Sequence, residues 1–443
     1  MKTTYTYAQI GKIAYPIFLS ILVQNLIQAI DTAFLGHVGE VELGASAIAG
    51  IYYIAIFTVS FGFSMGAQIL IGRRNGEKNF NQIGEIFLLG TLFLLIIALL
   101  VFCFTRWSSG SILAKLLHSE NVLKASIEYL DWRIGGIFFA SVNVMFRAFF
   151  VGTIRTKVLT FNAISMALTN VFLDYVLIFG KWGFPEMGIS GAALASVISE
   201  AVSTVFFIIY LLISIDLKKY GFVRIVLKNF RVVRNILDVS TAIMIQYFLA
   251  LSTWLFFFLA IEGMGETALA ISNIIRSLYM IFGIPIFALS STASTLVSNT
   301  IGAGKSDEVI SLTWKITRLA LTISFVFVVF LFLFPEPILR IYTSNPELIT
   351  ASIPSLNVIL LVLLTYSIGN VLFQSVSGTG NTRSALMIES LVLIIYAIWV
   401  WFVAIHLKAP LAVCWLVEWI YAFFLGLFSF IYFRYAKWQD RKI

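Results

Sequence analysis

The sequence predicts an all-α integral membrane protein with twelve transmembrane helices. Of the 443 residues, 60% are hydrophobic and 12% are charged, whereas about 25% of the residues in a soluble domain are charged. The mean hydropathy of +0.96 is too high for a soluble core to hide the apolar side chains. Long apolar windows recur along the chain, each close to the about 20 residues that a helix needs to cross a bilayer. The composition therefore excludes a soluble enzyme, a disordered chain and a nucleic-acid-binding module.

The predicted spans follow one another along the whole chain. Windows free of charge lie at 13–30, 43–72, 86–105, 239–261, 277–304, 348–382 and 390–407. Windows with one buried charge lie at 134–154 with Arg147, 158–180 with Asp174, 187–215 with Glu200 and 411–433 with Glu418. A shorter window at 319–335 completes the twelve. Strands are not expected, because no segment shows the alternating pattern of a membrane barrel.

Charged loop residues predict the orientation. Most of the 30 Lys and Arg fall in loops on the same side as the N-terminus, and such loops are usually cytoplasmic. We therefore expect both termini in the cytoplasm and a location in the plasma membrane, the inner membrane of a bacterium. The longest basic stretch, 216–234, is expected to be a cytoplasmic linker held to anionic lipid. Cys103 and Cys414 lie in apolar runs, which predicts neither a disulfide framework nor a structural metal site.

The two halves of the chain form a weak internal repeat. An offset of 226 residues pairs Gly39 with Gly265, Glu40 with Glu266, Tyr53 with Tyr279 and Gly152 with Gly378. A shifted offset of 218 pairs Glu200 with Glu418. Each half holds six spans, so we expect two six-helix lobes, 1–215 and 235–443, related by a pseudo-two-fold axis along the membrane normal. This arrangement is typical of transporters.

Polar side chains inside the spans are the candidate functional residues. Gln24, Gln28 and Asp31 fall on one face of the first span, and Asn170 and Asp174 share a face of the fifth. A charged Asp at the bilayer centre costs about 2.5–3.5 kcal/mol on insertion scales, so such a residue normally faces a cavity. A purely structural alternative is a hydrogen-bonded patch that holds the two spans together.

Several motifs resemble the multidrug and toxic compound extrusion (MATE) family of cation-coupled antiporters. They are Pro16 with Asp31-Thr32 and 36–39 in span one, 72–76 after span two, 170–174 in span five, 188–193 in span six and 377–383 after span ten. The resemblance covers essentially the whole chain. It resembles the DinF-like branch most, because span seven offers only Gln246 and span ten has no acid. The segment 240–242 also lacks the proline that is usual in span seven.

The resemblance implies that spans one and five meet, so that Asp31, Asn170 and Asp174 converge. Two carboxylates in a poorly solvated site cannot both ionise at low cost, which would suit a proton carrier. Carboxylate and carboxamide oxygens could instead coordinate sodium. Either cation would compete with a cationic substrate. The resemblance also suggests that bending of span one at Pro16 is linked to protonation, and a static kink is the alternative.

Other polar residues are weaker candidates for substrate or cation contact. Glu200 and Glu418 occupy matched positions of spans six and twelve, and a packing role paired with Arg147 or Arg276 is the alternative for them. Asn273 and Arg276 in span eight could line the cleft between the lobes. Glu389 in span eleven resembles Glu418 in its setting.

The predicted function is a secondary active multidrug efflux antiporter that exchanges organic compounds for protons or sodium ions by alternating access. The alternatives are a lipid-linked oligosaccharide flippase of the same superfamily and a membrane-embedded lipid-modifying enzyme. No Walker motif is present, so ATP is not expected as the energy source. The predicted partners are a small organic substrate and membrane lipid, with no cofactor and no nucleic acid, and the protein is expected to be a monomer and not an enzyme.

Overall fold

A computed structural model describes residues 5–222 and 230–439, and these contain twelve helices long and apolar enough to cross a membrane. The twelve predicted spans are therefore confirmed. We number them α1 (Tyr7–Val38), α2 (Glu40–Gly76), α3 (Phe80–Leu116), α4 (Glu120–Gly152), α5 (Lys157–Ile178), α6 (Gly188–Ser214), α7 (Phe230–Glu262), α8 (Glu266–Gly302), α9 (Ser306–Leu333), α10 (Pro346–Gly378), α11 (Thr382–His406) and α12 (Leu411–Tyr435). A short helix, Pro335–Leu339, follows α9.

Helix α4 is longer than the sequence predicted. The apolar window began at residue 134, but the helix begins at Glu120, where the Ser119 side chain accepts a hydrogen bond from the first turn. A single 3-10 turn, Ile134–Gly136, joins the polar first part to the apolar second part. The hydropathy window missed the first part because its surface carries several charges. The longer helix brings Arg133 inside the span.

The described chain divides into two compact units. The N-terminal unit comprises Leu19–Met244, and the C-terminal unit comprises the described residues of Met1–Phe18 and Ile245–Ile443. Both boundaries therefore fall within helices, one in α1 and one in α7. The boundary in α1 lies two residues after the buried Pro16. The two six-helix lobes that the sequence repeat predicts, 1–215 and 235–443, stay a prediction.

Close helix contacts in the N-terminal unit support its polar centre. Helices α5 and α6 approach closely at Gly191, where an added Cβ would lie 2.7 Å from the carbonyl carbon of Leu177. Small residues permit such close packing between membrane helices. A buried apolar cluster that includes Leu35, Ile178 and Ile189 ties α1 to the same two helices. This packing holds the polar residues of α1, α5 and α6 near one another.

The C-terminal unit has an apolar core between several helices. Helix α10 packs against α8 and α12, and Gly369 and Gly426 allow the backbones of α10 and α12 to approach. Phe257 and Trp415 are fully buried. Aromatic residues thus fill the space around the polar residues of this unit.

The described start of the basic linker packs against the protein. Tyr220 is buried, and its ring centroid lies 5.6 Å from that of Phe80 in α3. The ammonium nitrogen of Lys219 lies 4.3 Å from the same Phe80 ring. Two of the basic residues expected to meet lipid, Arg224 and Lys228, lie outside the described residues.

Candidate functional site

A buried cluster in the N-terminal unit brings together three of the predicted site residues. Helix α5 places Asn170 and Asp174 one turn apart, and both are fully buried. Asp31 of α1 is half-buried beside them. In the amide orientation that satisfies both carboxylates, the Asn170 nitrogen donates to Oδ1 of Asp31 at 2.9 Å and to Oδ2 of Asp174 at 3.3 Å. Asn170 therefore bridges the two acids.

The two carboxylates also meet each other directly. Asp31 and Asp174 lie within hydrogen-bonding reach, and the hydroxyl of Ser196 in α6 contacts Asp31. The second oxygen of Asp174, Oδ1, is buried without a hydrogen-bond partner. Like charges in contact in a poorly solvated site require a proton or another cation between them. The cluster therefore has the chemistry of a small cation site.

A cavity of about 470 Å³ in the same unit opens onto Asp31. Its polar and charged lining consists of Ser20, Gln24, Gln28, Asp31, Thr32, Ser46, Tyr53, Tyr129, Arg133, Asn143, Arg147, Asn162, Ser196, Ser199, Glu200 and Ser203. Its aromatic walls include Phe57, Phe61 and Phe207. Asn170 and Asp174 lie outside this lining. Asp31 is thus the acid that connects the buried cluster with the cavity.

Glu200 lines the same cavity and forms a buried ion pair. Its partner is Arg133 of α4, which donates to Oε1 at 2.6 Å and to Oε2 at 3.0 Å. The packing alternative drawn from the sequence paired Glu200 or Glu418 with Arg147 or Arg276, and Glu200 pairs with Arg133 instead. The apolar window began one residue after Arg133, whereas α4 carries Arg133 within the span.

In the C-terminal unit, the matched acid Glu418 has different partners. The Tyr396 hydroxyl donates to Oε1 of Glu418 at 2.9 Å, and the side chains of Tyr279 and Trp254 also hydrogen-bond to it. Glu389 likewise accepts from the Tyr421 hydroxyl at 2.9 Å. Within the described chain, neither glutamate forms an ion pair. These acids sit in a network of phenol and indole donors.

The remaining predicted residues lie apart from these networks or have local contacts. Asn273 is exposed, and its amide donates to the Leu269 carbonyl of its own helix at 3.1 Å. Arg276 stacks on Phe258, with its guanidinium carbon 5.4 Å from the ring centre. Both belong to the C-terminal unit, whereas the acid cluster belongs to the N-terminal unit.

Sequence reasoning missed Arg133, Ser196 and Tyr129 as members of the site. Tyr129 interacts electrostatically with Asp31, Arg133 and other charges of the cluster. A buried glutamate needs a counter-charge or donors, so Glu200 was itself a signal to search for an arginine in every neighbouring helix. Ser196 falls four residues before Glu200, which places both on one face of α6.

The donor set of the cluster suits a hard monovalent cation or a proton. Carboxylate, carboxamide and hydroxyl groups converge there, and hard cations prefer oxygen ligands. Across residues 5–222 and 230–439, no group of three or more His, Cys, Asp or Glu side chains could hold a metal ion.

In the described part of the chain, twelve helices able to span a membrane and a buried polar cluster beside a cavity are features of a membrane transporter. Comparison with known families agrees with that class. The MatE family model matches residues 16–176 and 242–403. The chain therefore belongs to the MatE family, and it is an integral membrane transporter and not an enzyme. Its assignment to the DinF-like branch stays a prediction.

Individual relatives cover most or nearly all of the chain. A probable multidrug resistance protein NorM from Thermotoga maritima is 26% identical over 436 residues, covering 98% of this chain and 93% of the relative. A protein of the same description from Photorhabdus laumondii is 26% identical over 361 residues, covering 79% and 76%. Among solved structures, a MOP superfamily transporter from Pyrococcus furiosus superposes with a TM-score of 0.87 at 18% identity, covering 96% of this chain and 94% of that one. An outward-facing multidrug resistance MATE transporter gives the same TM-score at 17% identity and the same coverage.

Proposed function

We propose that the protein is a secondary active multidrug efflux antiporter, and that a proton or sodium ion bound at Asp31, Asn170 and Asp174 drives export of organic compounds. The relatives described as multidrug resistance proteins support the efflux role. The observation that carries the coupling role is the bridge from Asn170 to two acids, beside an Asp174 oxygen that is buried without a partner.

The buried bridge supports binding of either cation. A proton shared by Asp31 and Asp174 would relieve the repulsion between their carboxylates. A sodium ion would be held by the same oxygens. The Asn170 amide suits both states, because its nitrogen donates to the acids in an empty site and its oxygen can face a metal ion after a half-turn of the amide. Ser196 supplies a hydroxyl on the third helix.

The cavity supports a moderately sized organic substrate. Its volume of about 470 Å³ lies within the usual range for small-molecule sites. Aromatic walls of Phe57, Phe61 and Phe207 would pack against the apolar part of such a substrate. Because Asp31 reaches this space from the acid cluster, a cationic substrate and the coupling ion would compete for its charge. That competition would couple substrate release to ion entry.

The efflux proposal is favoured over the flippase alternative. A flippase for a pyrophosphate-linked sugar would need additional helices and a strongly cationic cavity. The described chain has twelve spans, and the two arginines of the cavity, Arg133 and Arg147, are offset by Asp31 and Glu200. We further propose that both termini are cytoplasmic, that the protein resides in the bacterial inner membrane and that it acts as a monomer.

The test is transport in proteoliposomes with proton and sodium gradients imposed separately. We would follow efflux of rhodamine 6G, a fluorescent lipophilic cation, for wild type, Asp31→Asn and Asp174→Asn. We expect gradient-driven transport in wild type and a loss of at least tenfold in both variants, because neither neutral amide can exchange a proton or balance a cation. The gradient that drives wild type identifies the coupling ion.

A matched control separates this loss from general damage. Asp238→Asn makes the same chemical change at an exposed position of α7 in the same unit, and we expect wild-type transport from it. Gradient-driven transport that persists in both Asp31→Asn and Asp174→Asn would refute the coupling role of the cluster.

A further inference from the structure

Several contacts hold the ion pair of Arg133 and Glu200 in a defined geometry. The guanidinium donates two hydrogen bonds to the carboxylate, at 2.6 and 3.0 Å. Only 12% of the Arg133 side chain and 9% of the Glu200 side chain are exposed. The guanidinium carbon also lies 3.8 Å from the centre of the Tyr53 ring. A bidentate geometry with a stacked aromatic face fixes the position of the positive charge.

The backbone around the pair is adapted to it. Gly136 faces the pair, and a Cβ there would collide with both the Arg133 guanidinium and the Glu200 carboxylate. Asn143 donates to the Glu200 carbonyl at 3.0 Å, and the Thr204 hydroxyl donates to Oδ1 of Asn143 at 2.9 Å. These contacts hold the backbone of α6 at Glu200 against α4, so the carboxylate cannot easily follow a moving arginine.

The pair shares its surroundings with the acid cluster. Arg133, Glu200 and Asp31 line one cavity, and Arg133 interacts electrostatically with Asp31. Tyr129 interacts electrostatically with four charges of the region, which are Asp31, Arg133, Asp174 and Glu200. The titratable and charged groups around Asp31 are therefore Asp174 on α5, Glu200 on α6, Tyr129, Arg133 and Arg147 on α4, and Tyr53 on α2.

A fixed positive charge near a cation site competes with the cation. It favours the ionised form of a nearby carboxylate over the protonated form, and it repels sodium from the same oxygens. Glu200 opposes that effect, because its negative charge partly cancels the field of Arg133. The strength of the competition depends on both charges and on the distance that their pairing imposes.

We propose that Arg133 and Glu200 act as positioning residues that set the affinity of the Asp31–Asp174 site for its coupling cation. Arg133 lowers that affinity, which allows the cation to leave after transport, and Glu200 limits the reduction by holding and partly neutralising the guanidinium. This inference rests on the proposed coupling site, and it adds the residues that set the cation affinity of that site.

The two charges have opposite predicted effects, which a merely structural role does not produce. Removal of the positive charge in Arg133→Gln is expected to raise the affinity for the cation about tenfold. Removal of the negative charge in Glu200→Gln is expected to lower it about tenfold. The double variant has no net change in charge and is expected to stay within about threefold of wild type.

The experiment uses the full-length protein in detergent and needs no knowledge of the substrate. The probes are protons and sodium alone: thermal unfolding is followed across pH at fixed ionic strength, and across sodium concentration with potassium as replacement. A cation that binds the folded state raises the unfolding temperature once its concentration exceeds its Kd. The pH or sodium concentration at which this rise begins marks half-occupation of the site, and this midpoint reports the affinity. We expect the midpoint of the wild type to move to higher pH or lower sodium in Arg133→Gln, and the opposite way in Glu200→Gln.

Two controls keep the outcome interpretable. Asp238→Asn neutralises an exposed acid of the same unit and should leave the midpoint unchanged. Asp31→Asn should abolish the dependence, and its persistence there would refute the coupling site itself. With the site intact, unchanged midpoints or shifts of one sign in both single variants would overturn the inference. If Arg133→Gln does not fold, Glu200→Gln decides alone, because the amide oxygen still accepts from Arg133.

Discussion

The two units treat a buried glutamate at a matched position in opposite ways. In the N-terminal unit, Glu200 is neutralised by Arg133 through a bidentate ion pair beside a cavity. In the C-terminal unit, Glu418 accepts hydrogen bonds from Tyr396 and other neutral donors within an aromatic core. The repeat has thus kept the acid and changed its partners. We infer that the ion pair of Glu200 changes the electrostatic field at the nearby cation site. The neutral donors around Glu418 mainly fix the helices that carry them.

The tyrosines matched by the repeat follow the same division. Tyr53 lies under the Arg133 guanidinium, whereas its counterpart Tyr279 hydrogen-bonds to Glu418. Tyrosine therefore contacts a cation through its ring in one unit and an anion through its hydroxyl in the other. The two tyrosines differ in their contacts because Tyr53 has a guanidinium beside it, whereas Tyr279 has a carboxylate.

The largest expected effect comes from breaking the ion pair. Arg133→Ala leaves Glu200 buried without its counter-charge, and removal of one partner of a buried pair costs about 3–5 kcal/mol. The comparison variant is Arg276→Ala in the other unit, where the guanidinium stacks on Phe258, so a loss of about 0.5–1 kcal/mol is expected. Unfolding in detergent with a graded denaturant measures both changes. Equal losses would show that Arg133 contributes only its packing.

A smaller effect is expected from the neutral network. Tyr396→Phe removes one hydrogen bond to the buried Glu418, which keeps its bonds from Trp254 and Tyr279. The free energy of unfolding should fall by about 1–3 kcal/mol. The sodium midpoint measured by thermal unfolding should stay at its wild-type value, since this network belongs to the other unit. A shifted midpoint would contradict the division of roles between the two acids.

The fold was largely predictable because membrane spans depend on local composition. Eleven of the helices follow windows that hydropathy alone identifies, and a bilayer imposes about the same length on each. The exception, α4, is instructive: its first part is polar enough to be mistaken for a loop. Local composition cannot reveal that such a segment is stabilised by tertiary contacts, here including the bond from Arg133 to Glu200.

The candidate site was only partly predictable, for a related reason. The one-turn spacing of Asn170 and Asp174 can be read from the sequence, because helical periodicity is local. The identity of the residue facing Glu200 depends on which helices pack together and at what depth. The repeat could not supply this partner either, since the residue 226 positions after Arg133 is Ile359, a fully buried aliphatic side chain.

The smallest expected effect tests whether burial is what gives the Arg133 pair its importance. Helix α4 carries a second ion pair, between Asp131 and Arg106 of α3, with an N–O distance of 2.5 Å and side chains about half exposed. Exposed ion pairs contribute about 0–1 kcal/mol, because water and salt screen both charges. Asp131→Asn should therefore change the free energy of unfolding by less than about 1 kcal/mol and leave the cation midpoints unchanged. A loss comparable to that of Arg133→Ala would mean that the position of a charge on α4 matters more than its burial. The contrast between Glu200, which is paired with an arginine, and Glu418, which is bound by neutral donors, would then need another explanation.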